Sequence, residues 1–409
     1  MKKVKSKKGI DPAIPHYKYQ REGKGTGFSD HFRPVVPLNS SKIKDIDDLV
    51  RAMKSTAFGA RTVGEAAHVL EKMCLDRDTF VVLTLSGAMT PAKMGLLVCD
   101  MIDRGMVHAV IATGALMSHG LVEGVGLSHF QAPPGLDDKF FLKKGYNRIY
   151  DVLEPEINLD KIEVIVFKAL EELPEDRPFS SKDLWEQIGR YLAKNTKGRA
   201  ILKSAYLKGV PVYTPALTDS EAGGIDAYLH RLLCLKNNRP FPVYDGLLDM
   251  DHFTRLMARQ KKWGIFTIGG GVPRNWAQQV GPCIDLISQR HDLTRKGEDP
   301  WWENSPKMYS YGVRICPDPP HFGHLSGCTY SEGGSWGKVD LEKLEKGLNF
   351  AEVLTDATIA WPLILLAVMK RPRCRKIKKS IFTGRKAIRE IDRVATISYF
   401  SPVATSPKI

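Results

Sequence analysis

From Gly323 to Lys338 the chain reads Gly-His-Leu-Ser-Gly-Cys-Thr-Tyr-Ser-Glu-Gly-Gly-Ser-Trp-Gly-Lys. Glycines and hydroxyl side chains crowd around one carboxylate, one indole and one lysine. Glu332, Trp336 and Lys338 form the trio that a cationic amine would need. A carboxylate pairs with an ammonium, an indole face attracts it, and a lysine becomes a nucleophile once its pKa falls. Glycine at this density suits a backbone that turns sharply or lies against a ligand. The bland alternative makes Lys338 a surface lysine opening a helix and the glycines a plain loop.

Elements able to position such a stretch lie on either side of it. Apolar spacing predicts a helix over 43–53 with Ser41 as N-cap, and a second over 63–73. Residues 79–85 and 107–113 are continuous β-branched and apolar runs, as in buried parallel strands. Between them Pro91 suits the first turn of a helix over about 91–104. A third strand (210–213) runs into Thr214-Pro-Ala-Leu-Thr-Asp219, and a fourth (263–268) ends in Gly269-Gly-Gly271. Further helices are predicted over 159–173, capped at 181 over 181–195, then over 246–259, 274–289 and 359–369. Residues 127–157 read as loop-rich. The strand ends carry Ser86-Gly87, Thr113-Gly114-Ala115, Asp219 and Gly270, where ligands sit in open α/β sheets. Asp356 precedes the last apolar helix. The expected fold is α/β, a doubly wound and mainly parallel sheet with helices on both faces. No GxGxxG is present, so the usual dinucleotide fingerprint is missing.

Composition narrows the function. The chain has 409 residues, 43% hydrophobic and 26% charged, as in a soluble globular protein. Its apolar run 359–369 is too short to span a bilayer, and no apolar core follows the N-terminal lysines as in a secretory leader. Seven scattered cysteines without a CxxC pair point to a reducing, cytoplasmic setting and to no zinc ribbon. His321 and His324 lack a third ligand nearby, so no metal is expected. Net charge is +14, yet residues 1–33 hold nine Lys/Arg against three Asp/Glu, and residues 370–409 hold twelve against two. The body between is near neutral. The organisation expected is a basic, mostly extended segment (1–40), one domain (41–369) and a basic extension (370–409).

Pro215-Ala-Leu-Thr-Asp219, Gly269-Gly-Gly271, Ser326-Gly327, Glu332-x-x-Ser335-Trp-Gly-Lys338 and Thr355-Asp-Ala357 occur together and in order. This set resembles the deoxyhypusine synthase family over about 60–370. The resemblance implies NAD-dependent transfer of an aminobutyl group from spermidine in a homotetramer. Hydride leaves the carbon beside the secondary amine, diaminopropane departs, and Lys338 captures the four-carbon fragment as an imine. The fragment passes to an acceptor amine, and the new imine is reduced. The acceptor is a lysine of the hypusine-bearing initiation factor, or a free diamine in homospermidine-type relatives.

Carried over by position, NAD contacts fall on Ser86, Gly87, Thr90, Thr113, Gly114, Ala115, Asp219, Gly270, Asp356 and Ala357. The amine pocket falls on Glu332, Trp336, His119, Asn275, Ser326 and Gly323. Here the chain departs from the family. Gly87 replaces an asparagine, His119 an acidic residue, Asn275 a histidine, Gly224 an aspartate, and Leu325 another aspartate. Asp226 and Glu221 are the nearby carboxylates, neither at the matching spacing. The chemistry reads as kept and the amine recognition as rebuilt. Two competing readings are a non-catalytic module using its basic tails on nucleic acid, and an ordinary NAD dehydrogenase. Nothing in the spacing supplies the latter with a His/Asp hydride-shuttle pair.

Overall fold

A computed structural model describes residues 25–135, 137–290, 300–347 and 349–374. The helices are α1 (Ile46–Met53), α2 (Phe58–Leu75), α3 (Gly95–Asp103), α4 (Gly114–Gly124), α5 (Asp138–Lys144), α6 (Glu156–Glu171), α7 (Ser181–Asn195) and α8 (Ile201–Lys208). After the π-helical turn Glu221–Ile225 come α9 (Asp226–Lys236), α10 (Gly246–Ala258), α11 (Gly271–Gln278), α12 (Val280–Gln289), α13 (Tyr330–Ser335), α14 (Leu341–Glu345) and α15 (Ala357–Lys370). The strands are β1 (Thr79–Leu85), β2 (Ala109–Ala112), β3 (Phe130–Gln131), β4 (Tyr146–Ile149), β5 (Val152–Pro155), β6 (Val212–Tyr213), β7 (Lys262–Ile268), β8 (Tyr309–Ile315) and β9 (Phe350–Val353).

Six of these strands form one parallel sheet in the order β6-β2-β1-β7-β8-β9. Successive side chains of a strand point to opposite faces, and β1 shows the consequence. Val81, Leu83 and Leu85 join a core with α2, α4, α7 and α15, while Phe80 and Val82 join a second with α10, α11 and α12. Helices therefore cover both faces, and the doubly wound α/β expectation holds. The chain leaves β1 first toward β2 and β6, then returns to its other side with β7, β8 and β9. That reversal beside β1 opens a crevice at the strand C-termini, where such sheets bind ligands.

Several local expectations need correction. Asp45, not Ser41, caps the first helix, because its carboxylate accepts from the N–H groups of both Asp47 (2.9 Å) and Asp48 (3.0 Å). Ser41 lies in a short 3-10 turn. Pro91 sits in the turns ahead of α3. Ser180 caps α7 in a reciprocal box with Asp183, and Ser181 instead donates to buried Asp249 (2.6 Å). The stretch expected as helix 274–289 is two helices meeting at Gln279. Residues 127–157, expected as loop, hold α5 and a small antiparallel sheet ordered β3-β5-β4, whose short and largely exposed strands carry no apolar alternation. The lysine stretch is built from short helices rather than plain loop. The basic extension beyond residue 374 lies outside the described residues.

β8 and β9 escaped sequence reading because charges interrupt their apolar runs, Arg314 at a buried position and Glu352 at a half-buried one. Arg314 on β8 pairs with Glu352 on β9 at 2.9 Å and in direct register. The pair matters to the site. Arg314 also donates to the carbonyl of Ser326 (2.7 Å), and Glu352 accepts from the backbone N–H of Tyr330 (2.5 Å). One ion pair thus fastens the lysine stretch to the sheet at two points.

Candidate functional site

Lys338 follows α13 at a tight turn. Gly337 adopts φ +68°, the Lys338 N–H donates to the Gly333 carbonyl (3.1 Å), and the Tyr309 N–H donates to the Lys338 carbonyl (3.0 Å). Its backbone is therefore tied to the start of β8. The side chain runs over Trp336, with Nζ 5.7 Å from the ring centre, and Nζ donates to Oδ1 of Asn275 on α11 at 2.8 Å. Burial lowers the Lys338 pKa below the ordinary lysine value, and the Arg274 guanidinium adds to this, while Cys328 and Glu332 oppose it. Arg274 is itself held by the Cys328 carbonyl (2.7 Å). Lys338, Asn275, Trp336, Glu332 and Cys328 are thus one cluster around a half-buried amine. A lowered lysine pKa raises the share of neutral, nucleophilic nitrogen.

Beside this cluster the ends of β1 and β7 meet. The Gly270 N–H donates to Ser86 Oγ at 2.8 Å. A Cβ on Gly269, whose φ is +75°, would stand 2.3 Å from Ser86 Oγ, and one on Gly270 would stand 2.5 Å from the Ser326 Cα. Side chains are excluded at both positions, so bare backbone forms the floor of the crevice. Gly87 (φ +80°) and Gly271 (φ +65°) also adopt the left-handed region, which glycine enters without strain. Ser326 itself bonds Asp318 through its hydroxyl. Gly323 is exposed at a turn with φ +73°.

The remaining predicted residues spread along the same edge. Thr113 and Gly114 open α4, and Gly114 packs against Ser220, whose Oγ would lie 2.3 Å from a Cβ there. Ala115 is exposed in the same turn. Thr90 is fully buried and gives its hydroxyl to the Leu116 carbonyl (2.9 Å), so it braces α4. Asp219 is exposed after β6, and exposed Asp356 caps α15 through the Thr358 N–H (2.6 Å), ahead of buried Ala357. Glu332 is exposed, and Trp336 is 68% exposed.

His119 joins a different group, which sequence reading missed. Its Nδ1 lies 3.1 Å from Glu154 Oε2, and His129 Nε2 bonds the same oxygen. Asn158 Nδ2 donates to Glu154 Oε1 (2.7 Å), and Lys93 Nζ lies 2.9 Å from His129 Nδ1. Burial pushes Glu154 up, but the bonds from His119, His129 and Asn158 outweigh it and hold its pKa at about 2. The lysine ammonium can only donate. His129 Nδ1 must then accept, which leaves Nε2–H for Glu154. The ligand atoms of His119, His129 and Glu154 lie within 4.8 Å of one another, a spacing open to a metal that spacing along the sequence did not suggest. The contacts present are those of a hydrogen-bonded chain, and the Lys93 ammonium disfavours a cation beside it.

The sequence profile of the deoxyhypusine synthase family matches residues 48–368. A Methanosarcina mazei protein named "Probable deoxyhypusine synthase 2" is 29% identical over 352 residues, covering 86% of this chain and 94% of that protein. An Archaeoglobus fulgidus protein of the same name is 31% identical over 333 residues, covering 81% of this chain and all of that protein. A crystal structure from Entamoeba histolytica, described as a candidate deoxyhypusine synthase, shares the fold with a TM-score of 0.50 at 14% identity, covering 86% of this chain and 100% of that one.

Proposed function

The chain belongs to the deoxyhypusine synthase family, and from that premise we propose that it is an NAD-dependent aminoalkyl transferase with Lys338 as its covalent nucleophile. The donor is spermidine or a related polyamine. The observation that carries this reading is the half-buried Lys338 amine, lowered in pKa and held on Asn275 beside the Trp336 ring.

The crevice fits a dinucleotide. Backbone without side chains at Gly269 and Gly270 suits the close approach of a pyrophosphate. Ser86, Gly87, Thr113, Gly114, Ala115 and Gly270 would line it. Asp219 and Asp356, which follow the outermost strands β6 and β9, would complete that lining. Bound NAD would accept hydride from the donor amine and return it to the product.

The residues of the chain do the rest. Asn275 aims Nζ, and Trp336 walls the alkyl chain and attracts its ammonium. Glu332 adds the charge that draws the amine in. The bond from carbon to the departing diaminopropane breaks as the bond to Lys338 Nζ forms, and an acceptor amine later displaces Nζ in the same way. That acceptor is either a protein lysine or a free diamine. Among the described residues no helix is long and apolar enough to cross a membrane. Tyr228, Leu232 and Leu235 on α9 are 61%, 41% and 50% exposed, which supports a homo-oligomer that covers them.

The test is incubation of the full chain with NAD and spermidine, putrescine or agmatine, then borohydride and intact mass. An increment that disappears in Lys338→Ala is expected, and the amine that gives it names the donor. No increment with any amine, despite measurable NAD binding, would sink the reading.

A further inference from the structure

Between the end of β8 and the start of α13 the chain runs through residues 316–329 with no strand and no α-helix. It holds only the short 3-10 turns Pro320–Phe322 and Leu325–Gly327. No ladder fixes the last part of that path. Charged side chains do, at every second residue. Arg314 on β8 donates to the Ser326 carbonyl (2.7 Å), Arg274 on α11 donates to the Cys328 carbonyl (2.7 Å), and Glu352 on β9 accepts from the Tyr330 N–H (2.5 Å). The two arginines are 3% and 2% exposed. The Tyr330 ring lies over Gly312 of β8, where a Cβ would stand 2.6 Å from its Cζ, so the ring seats the stretch on the sheet.

This grip reaches Lys338 through α13. Tyr330 opens that helix, Thr329 caps it by accepting from the Glu332 N–H (3.1 Å), and the Gly333 carbonyl accepts from the Lys338 N–H (3.1 Å). The Tyr309 N–H holds the Lys338 carbonyl (3.0 Å), and Tyr309 begins the strand that bears Arg314. β8 therefore fixes the segment 326–338 at both ends. Arg274 does the same for the other partner, since its neighbour Asn275 takes the Lys338 Nζ. Stability alone does not call for such an arrangement. A buried ion pair is often no more stabilising than apolar side chains of like volume, and Arg274 Nη1 and Arg314 Nε have no hydrogen-bond partner among the described residues. What the charges supply is direction, with two donors and one acceptor matched to two carbonyls and one N–H.

We propose that Arg314 and Glu352, together with Arg274, are positioning residues for the nucleophile, whose polarity fixes the path of residues 326–330 and so holds the Lys338 amine against Asn275 and Trp336. The inference rests on the transferase reading and deepens it, because it assigns the placement of the nucleophile to a buried ion pair on the sheet. That pair is electrically balanced, so its effect on Lys338 is one of place. The groups that act on the Lys338 amine by charge are Arg274, which favours the neutral form, and Cys328 and Glu332, which oppose it.

The test exchanges the pair. Arg314→Glu with Glu352→Arg keeps an ion pair but sets a carboxylate against the Ser326 carbonyl and a guanidinium against the Tyr330 N–H. Arg314→Met with Glu352→Leu removes charge and grip together, and Glu352→Gln keeps the acceptor. Two readouts are taken on the full chain. One is trace acetylation of Lys338 against pH, read by peptide mass; the other is the rate of the borohydride-trapped adduct with NAD and spermidine. In both double variants the acetylation midpoint should rise toward the ordinary lysine value of 10.5. The adduct rate should fall at least about tenfold, with half-saturating spermidine little changed and the Met/Leu variant melting near wild type. Glu352→Gln should keep most of the rate. A swapped pair with the midpoint and rate of wild type would overturn the proposal. Should a double variant unfold, Arg314→Lys decides, since one ammonium cannot serve both the carbonyl and Glu352: a lowered rate supports the grip and a wild-type rate overturns it. Acetylation does not depend on transfer, and this separates the inference from the reading beneath it. No adduct in wild type, with a Lys338 midpoint that moves in the variants, keeps the grip and removes the transfer. An adduct of unchanged rate in every variant does the reverse.

Discussion

The two ends of the crevice are built on opposite plans. At the β7 and β8 end the chemical groups come from one contiguous stretch, 323–338, joined by Asn275 and Arg274 from the next helix. Its carboxylate Glu332 and its indole are exposed, and its buried charges, Arg274 and Arg314, are each tied to a backbone carbonyl of the stretch. At the β6 end the groups come from four separate segments: His119, His129, the Glu154–Glu163 region and Glu221–Asp226. Charge there is dense and much of it buried. The difference is one of construction. One short stretch suffices to aim a single, partly desolvated amine. Gathering several charged groups from distant segments takes a tertiary framework.

The comparison breaks most sharply at Lys338. Lys338→Ala should abolish the borohydride-trapped adduct and cut transfer by at least about 10³-fold, with spermidine binding kept within about threefold. Equal loss of binding would show that the two ends are not separable. Next in size is Glu154→Gln. Removing the charge from a buried hydrogen-bonded group should cost on the order of 3 kcal/mol, read as a lower urea midpoint at unchanged slope. It should also alter acid stability. The folded pKa of Glu154, about 2, lies below the ordinary 4.5. Its stabilising contribution is therefore full above about pH 5 and fades as pH falls toward 2. The variant should show a flatter stability profile across that window.

The same contrast explains what could be read in advance. The four strands β1, β2, β6 and β7 announce themselves as apolar runs, and their ends marked the crevice before any coordinates. Lys338, Trp336 and Glu332 were legible because they share one short stretch. Glu154 and His129 were not, since a buried glutamate in a short hairpin and a histidine in a loop have no period and no neighbouring motif. Arg314 and Glu352 hid two whole strands, because each looks unfit for a core until the other is placed beside it. Asn275 reads from the sequence as an amine-pocket position where a histidine is lost, and only the fold brings it within 2.8 Å of the Lys338 amine.

Asp226 gives a prediction opposite in sign to that for Glu154. Its folded pKa of about 7 lies above the ordinary 3.8. The native state then holds a proton that the unfolded chain has lost, so this group's contribution declines as pH rises from about 4 to 7. Asp226→Asn should be more stable than wild type at pH 8, by up to roughly 4 kcal/mol, and nearly equal to it at pH 4. Thermal melts at the two pH values decide this. A variant no more stable at pH 8 would mean that the carboxylate has a cationic partner already.

The smallest effect sharpens the nucleophile end. Asn275 accepts from the Lys338 ammonium and so favours its charged form modestly. Asn275→Asp would replace a neutral acceptor with an anion at the same place, raising the Lys338 pKa and shrinking the neutral fraction at pH 7 to 8. The rate of adduct formation should fall about five- to tenfold there and recover as pH rises toward 10, with the half-saturating spermidine little changed. A pH–rate profile parallel to that of wild type would show that Asn275 only fills space. A shifted profile would show that the neutrality of the acceptor at this contact is what leaves the amine its reactive fraction, beside the burial and the Arg274 guanidinium that lower its pKa and the Glu332 carboxylate that opposes them.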